Sequence, residues 1–500
     1  MKIRALLCIL LALAIMLFAS CNKNDGTANS GGESSSESSK ETSSVESSSI
    51  EEESSDESSS DESSSVEEES SSIEEESSSV ETGSDESSSE ENEPVIRPGP
   101  EVKDATITLF ENGESEYTIV YSQDSVATEI FVMDFVSYVK STYGIDIPYK
   151  PVFDNEDIGE KEIVIGFPRT SSFYASYKMG KKNDFIMDVY GDDLYICATN
   201  EGLYSYAFRL LKDIYLPEVG EAFVFSPDDE FVYSDSEYSD LTYTKYISAS
   251  AGKNYDQALL SELYYNMSYT SSDGTILKYR LYIPYTYSEL SSHPVLLFLH
   301  GAGERGTNNL SQMYHVVPDL MNHYNSDIEN SIIICPQCPN QPNQWVDTPW
   351  ASGNYSINTV AESNELKAVV ELLGKFKNDF ASDSDRFYVM GVSMGGFGTW
   401  DLIMRHTELF AAAVPICGGA DVSMAEALKN FPIYTAHASN DNVVPYSGTN
   451  AMVQAIRNAG GTSIIFKCHA DGSLSSGGHS IWSEIAKSNE MVEWLYNQSK

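Results

Sequence analysis

A serine stands between two glycines in Gly391-Val392-Ser393-Met394-Gly395, directly after the apolar run Phe387-Tyr388-Val389-Met390. The G-x-S-x-G pattern at a strand-to-helix junction holds a serine on a sharp turn, its hydroxyl exposed at the helix N-terminus. A serine hydroxyl is a weak nucleophile at neutral pH and needs a general base. Junctions of this kind take their partners in the chain order serine, acid, histidine. Four histidines follow: His406, His437, His469 and His479. His406 falls in the helix after the serine, where a surface or packing role is expected. His437 and His469 end predicted strands. His479 lies in the glycine-loosened SSGGHSIW, after the last strand and before the last helix, and is the leading base, with His469 as its rival. Asp441, in HASNDNVVP after the preceding strand, is the leading acid. Asp471 shares the loop of His479 and is the rival; Asp421 lies further from the pattern.

Acyl chemistry at such a serine also needs backbone N–H groups aimed at the developing oxyanion, each contributing about 3 kcal/mol in the transition state. Met394, next to the serine, supplies one. The turn HGAGERG (300–306), at the end of the apolar run VLLFLH, supplies the other from Gly301 or Ala302. Glu304 and Arg305 are expected to pair with each other or to fix this turn. Trp345 and Trp350, in the Pro/Asn-rich PNQPNQWVDTPWASGNY, are expected to line a substrate pocket, and Trp482 is a third candidate. Cys335 and Cys338 form C-x-x-C, but no second such pair or His-x-His accompanies them, so no metal site is expected. Pro336 and Pro339 break the helix that a redox motif would need.

These residues sit on alternating elements. Predicted strands are Val295–Leu299, Ile332–Cys335, Arg386–Met390, Ala411–Ile416, Ile433–His437 and Ser463–Cys468. Predicted helices are Asn364–Phe376, Gly396–Arg405, Gly448–Asn458 and one from about Ile481 to Asn497. Repeated β-then-α units with apolar strands predict an α/β fold with a doubly covered, mostly parallel sheet over 262–500. A smaller α/β sandwich is predicted over 101–235: ATITLF and YTIVYS as a hairpin about ENGESE, a helix from Val126 with Gly144 as its stop, and strands 162–167, 185–190 and 194–199. A second helix is predicted over Tyr204–Ile214, and residues 236–261 read as a connector.

The 500 residues carry a formal charge of −46. Residues 22–96 hold 24 Asp/Glu against Lys23 and Lys40, about half of the imbalance. Such a chain offers no basic face for nucleic acid and no electrostatic attraction to anionic lipid. Residues 22–100 read as a linker, with SSIEEESS repeated at 48–55 and 71–78; Ser/Glu runs bury almost nothing and repel themselves. At its start, Lys2 and Arg4 precede the apolar run Ala5–Phe18, the length of a signal-peptide core rather than a transmembrane span. Phe18-Ala19-Ser20-Cys21 then resembles a bacterial lipobox, with Phe18 where Leu is usual. That predicts residues 1–21 as a lipoprotein signal, Cys21 as the lipidated residue, and a lipid-anchored exported protein touching membrane there alone. The alternative is an ordinary secretory signal with Cys21 incidental. Five cysteines remain beyond Cys8 and Cys21, an odd number that leaves at least one free.

Taken together, HGAGERG, PQCP followed by Trp345, GVSMGGFGTW, HASNDNVVP and GGHSIW resemble the α/β-hydrolase fold. More narrowly they resemble secreted esterases grouped with feruloyl and acetyl xylan esterases, polyhydroxybutyrate depolymerases and predicted peptidases. The resemblance implies ester hydrolysis through an acyl-enzyme, with Ser393 as nucleophile, His479 as base and Asp441 orienting it, and no cofactor. In the smaller unit, EIVIGFPR and EGLYSYAFRLL loosely resemble accessory domains found ahead of α-glucuronidases. The expectation is a monomeric, surface-anchored carbohydrate esterase that takes acetyl or feruloyl groups from an acylated polysaccharide or oligosaccharide. A serine peptidase of the prolyl-oligopeptidase sort shares the same constellation, although no blade-length repeat marks a propeller. A non-catalytic binding lipoprotein would need a broken triad.

Overall fold

The computed structural model describes residues 106–153, 159–166, 185–226, 231–233, 256–322, 326–469 and 478–500. The predicted signal, Cys21, the Ser/Glu linker, most of the connector and Asp471 lie outside these residues.

The larger sheet has eight strands: β9 (Tyr265–Thr270), β10 (Ile276–Tyr282), β11 (His293–Leu299), β12 (Ile332–Gln337), β13 (Ser382–Val392), β14 (Ala412–Ile416), β15 (Ile433–Ala438) and β16 (Ile464–His469). Their spatial order is β16-β15-β14-β13-β11-β12-β10-β9. Pairing is parallel from β16 through to β12, and antiparallel where β10 joins β12 and β9 joins β10. Strands β11, β12, β14 and β15 are buried at every position, as a sheet covered on both faces requires. Helices Asn364–Asp379, Met394–Arg405 and Tyr446–Asn458 supply the cover. This is the α/β-hydrolase arrangement. β13 lies inside the sheet between β11 and β14, so its C-terminal end opens where several loops converge.

The final segment is not one helix. Trp482–Ala486 and Asn489–Tyr496 are separate, and Ser488 caps the second, its hydroxyl accepting from the Met491 N–H. The Ser-Asn-Glu sequence is an N-cap signal that the apolar spacing masked.

The smaller sheet runs β3-β2-β4-β6-β5-β8, where β2 is Thr118–Ser122, β3 Tyr149–Val152, β4 Glu162–Ile165, β5 Phe185–Tyr190, β6 Asp193–Ala198 and β8 Phe231–Tyr233. Helix Val126–Tyr143 starts at the Ser125 cap and stops at Gly144, whose φ of 75° is left-handed. The expected hairpin between the first two strands does not form. Asn112 and Gly113 do make a tight turn with φ of 53° and 85°. Yet β1 (Ile107–Phe110) pairs with β7 (Phe223–Phe225), and β2 lies between β3 and β4 in parallel. The cause is burial: Ile119, Val120 and Tyr121 are buried in succession, which suits a parallel interior and not a half-wet hairpin.

Candidate active site

The geometry starts at β13. Ser393 follows its last residue with φ 54° and ψ −118°, a strained backbone for a non-glycine residue. Two glycines make the bend possible. A Cβ on Gly391 would stand 2.2 Å from the Gly395 carbonyl oxygen, and one on Gly395 would stand 2.0 Å from the Leu299 carbonyl oxygen. Neither position tolerates a side chain. The strand and the following helix therefore touch backbone to backbone, with Ser393 at the corner.

His479 reaches this corner from the loop before Trp482. Its Nε2 is 2.9 Å from the Ser393 Oγ, and its Nδ1 is 2.7 Å from the Asp441 Oδ2. The carboxylate can only accept, so Nδ1 carries the proton and Nε2 is left to accept from the serine. Asp441 hangs from the end of β15. Its Oδ1 accepts the N–H groups of Val443 and Val444 at 2.8 and 2.9 Å. Burial pushes its pKa up, but the hydrogen bonds from His437, His479 and these two amides outweigh that and hold the carboxyl well below the usual range. It stays ionised wherever His479 works.

The spacing of HASNDNVVP also carries a residue whose place the sequence reading did not find. His437, four positions before Asp441, is fully buried, and its Nε2 lies 3.1 Å from the Asp441 Oδ2. The signal was there: a histidine ending a strand, one turn of chain ahead of the acid.

The turn after β11 is braced. His300 is fully buried; its Nε2 accepts the Cys338 N–H at 2.9 Å and its Nδ1 donates to the Gly301 carbonyl at 2.6 Å. Burial drives its pKa down to about 4, so the ring is neutral. Trp345 donates its indole N–H to the His300 carbonyl at 3.1 Å. This corrects the expectation for Trp345: it has no exposed surface and holds the turn from behind, where it lines nothing. Its Pro/Asn-rich surroundings suggested a surface loop, but the indole found a buried acceptor. Arg305 fixes the same turn by donating to the Ala302 and Asn343 carbonyls. Glu304 pairs with His315 at 3.4 Å, not with Arg305. Burial raises its pKa, while His315 and the N–H groups of Glu304 and Gly301 lower it. With Gly301 turned toward Glu304, Ala302 is the freer of the two expected donors. A Cβ on Gly301 would stand 3.6 Å from the Ser393 Cβ, which places the turn against the nucleophile.

Trp482 stands perpendicular to the His479 ring, centroids 5.6 Å apart, and meets the His315 ring at 6.1 Å. Trp350 is partly buried under the Arg305 guanidinium, 5.5 Å from its ring centre. Of the rivals, His469 pairs with Glu484 at 3.5 Å, and His406 with Glu362 at 2.7 Å. Asp421 accepts the N–H groups of Ser423 and Ile357 and caps a turn. Cys335 and Cys338 are separate buried thiols whose pKa burial pushes up. Among the described residues, the cluster with the spacing of a metal site is Cys417, Asp441 and His479. Asp441 and His479 are the pair already hydrogen-bonded to each other.

Comparison with known proteins adds the following. A family model described as the prolyl oligopeptidase family matches residues 354–436, which include Ser393. A bifunctional acetylxylan esterase/xylanase of Neocallimastix patriciarum is 22% identical over 169 residues, 33% of this chain and 22% of that protein. Among solved structures, a thermostable esterase is similar at 31% identity and a TM-score of 0.43, over 48% of this chain and 64% of that one. A ferulic acid esterase is similar at 18% identity and a TM-score of 0.37, over 46% of this chain and 96% of that one. The chain thus spans less than a quarter of the curated relative and under two thirds of the thermostable esterase.

Proposed function

We propose that this protein is a serine carboxylic-ester hydrolase that removes acetyl or feruloyl groups from plant polysaccharide, exported and held at the cell surface through Cys21. The observation that carries the chemistry is the unbroken relay of 2.9 Å from Ser393 to His479 and 2.7 Å from His479 to Asp441. Ser393 Oγ attacks the ester carbonyl carbon as its proton passes to His479 Nε2. The oxyanion rests on the N–H groups of Met394 and Ala302. The intermediate collapses, the carbon–oxygen bond to the alcohol breaks, and His479 returns the proton to the leaving oxygen. Water, deprotonated by the same imidazole, then attacks the acyl carbon; the bond to Ser393 Oγ breaks, the acid leaves, and His479 returns the proton to the serine oxygen. Asp441 orients the ring and stabilises it while charged.

The substrate class is supported by the acetylxylan esterase relative and by the part-exposed Trp482 beside the base. The anchor rests on the lipobox-like Phe18-Ala19-Ser20-Cys21. No helix among the described residues is long and apolar enough to cross a membrane. Two measurements test the reading. A fluorophosphonate probe should label the full chain and fail to label Ser393→Ala. Acetate or ferulate should then be released from acetylated or feruloylated xylan, and release of neither would remove the substrate claim while leaving the serine chemistry intact. The prolyl oligopeptidase match favours a second reading, a serine peptidase. Faster turnover of short peptides than of aryl esters would select it.

A further inference from the structure

Asp441 Oδ2 serves two imidazoles at once: His479 Nδ1 at 2.7 Å and His437 Nε2 at 3.1 Å. The mechanism uses the first and leaves the second without a task. Neither the His437 ring nor the Asp441 side chain has any solvent-exposed surface. Water is therefore no hidden donor or acceptor to either, and the hydrogen-bond partners can be counted.

His437 Nε2 faces the Asp441 carboxylate and, at 3.0 Å, the Val444 carbonyl oxygen. Both groups only accept, so Nε2 must carry a proton. Its Nδ1 lies 2.8 Å from the Thr449 hydroxyl oxygen. That hydroxyl has a single proton, and it sits 2.8 Å from the Gly418 carbonyl, to which it donates. With that proton committed, Nδ1 must donate as well. A neutral His437 would instead draw the threonine proton to itself and set two oxygen lone pairs against each other, 2.8 Å apart, inside the protein.

We propose that His437 is a positioning residue that carries a proton on both ring nitrogens, and that its charge beside Asp441 keeps His479 free to act as a base at lower pH. The inference rests on the Ser393–His479–Asp441 relay of the proposed function and not on its substrate. Asp441 then faces a fixed cation at His437 and the neutral base at His479. The charge on His437 cancels part of the attraction that the carboxylate exerts on a proton at His479. It also satisfies the second lone pair of Oδ2, so the carboxylate cannot turn away from the base. Among the described residues, other titratable groups also stand near this centre. The Cys417 thiol, at the end of β14, is pushed up by burial first and by Asp441 second. The Tyr446 ring stands perpendicular to His437 at 6.0 Å. On β16, Cys468 is the register partner of His437. None of these described groups supplies a positive charge; the opposing cation is His437 itself.

Two readouts on the full chain test this. In protein labelled with ¹⁵N-histidine, both His437 nitrogens should keep the shifts of a protonated ring from pH 5 to 8. His437→Gln keeps an N–H donor for Asp441 but has no charge. Its rate of labelling by a fluorophosphonate probe should show the acid limb of the pH profile moved upward by about one unit. An unprotonated His437 nitrogen in the wild-type spectrum overturns the proposal, as does a His437→Gln limb that stays in place while only the rate falls. The spectrum needs no variant, so a variant that fails to fold does not remove the test. Absence of labelling in the wild type would sink the relay instead, and the nitrogen shifts would still decide the charge on His437.

Discussion

Asp441 is the residue on which the site turns. Its four hydrogen bonds, from two imidazoles and two backbone amides, do two things together. They keep the carboxyl ionised in a buried place, and they leave Oδ2 one position to occupy. Replacing it with Asn removes the charge and offers an amide that can donate as well as accept. His479 is then no longer held with its proton on Nδ1, and the lone pair on Nε2 that the serine needs is lost for part of the time. Asp441→Asn should lower kcat on an aryl acetate by about 10³–10⁴-fold with a much smaller change in KM. Circular dichroism should show the fold retained. A loss below tenfold would mean that the base finds its orientation without this carboxylate.

The elements that carry these residues were readable in unequal degree. The strands of the larger sheet carry apolar runs between turn residues, and chain order with the glycine-loosened loop put Asp441 and His479 ahead of Asp471, Asp421 and His469 as partners of Ser393. Trp345 was misread because local composition said surface, while a carbonyl 45 residues away, on His300, supplied the partner that lets an indole be buried. The first hairpin was misread because the turn chemistry at Asn112-Gly113 is local and correct, whereas strand partners are decided by burial at long range. His437 was read only as the end of a strand, and its bond to Asp441 needs coordinates to be seen. The contact between strand and helix at the nucleophile makes its own prediction. A methyl group in Gly395→Ala would meet the Leu299 and His300 carbonyl oxygens at 2.0 and 2.7 Å. Both are backbone atoms and cannot rotate aside. The helix must move off β11, and the oxyanion turn moves with it. We expect a loss of about 2–4 kcal/mol, seen as a Tm several degrees lower, together with loss of labelling by a fluorophosphonate probe. A variant with wild-type Tm would show that the turn has slack that the distances do not suggest.

At the scale of the molecule, the smaller sheet and the larger one share a continuous apolar core, with Phe131 against Tyr265 at 5.3 Å, and polar contacts add to it. The Gly202 N–H donates to the Tyr287 carbonyl at 2.9 Å, and Tyr206 meets Tyr285 edge-on at 6.1 Å. The Arg209 guanidinium reaches the carbonyls of Glu262 and Leu263 and the hydroxyl of Tyr265. Two carboxyls share this region, Glu201 and Glu289. Burial raises the Glu289 carboxyl to about 7, with the Tyr287 hydroxyl lowering it and Glu201 adding to the rise. A carboxyl raised in the folded state favours folding below its unfolded value of 4.5 and gives that contribution up as pH climbs to about 7. Stability should therefore fall between pH 5 and pH 8 by an amount that depends on Glu289, on the order of 1–2 kcal/mol and a few degrees of Tm. Glu289→Gln stays neutral throughout and should lose that slope, its melting temperature drawing level with or above the wild type as the pH rises. Thermal melts of both proteins at half-unit steps decide it: parallel curves would mean that the Glu289 carboxyl meets water more freely than its burial implies.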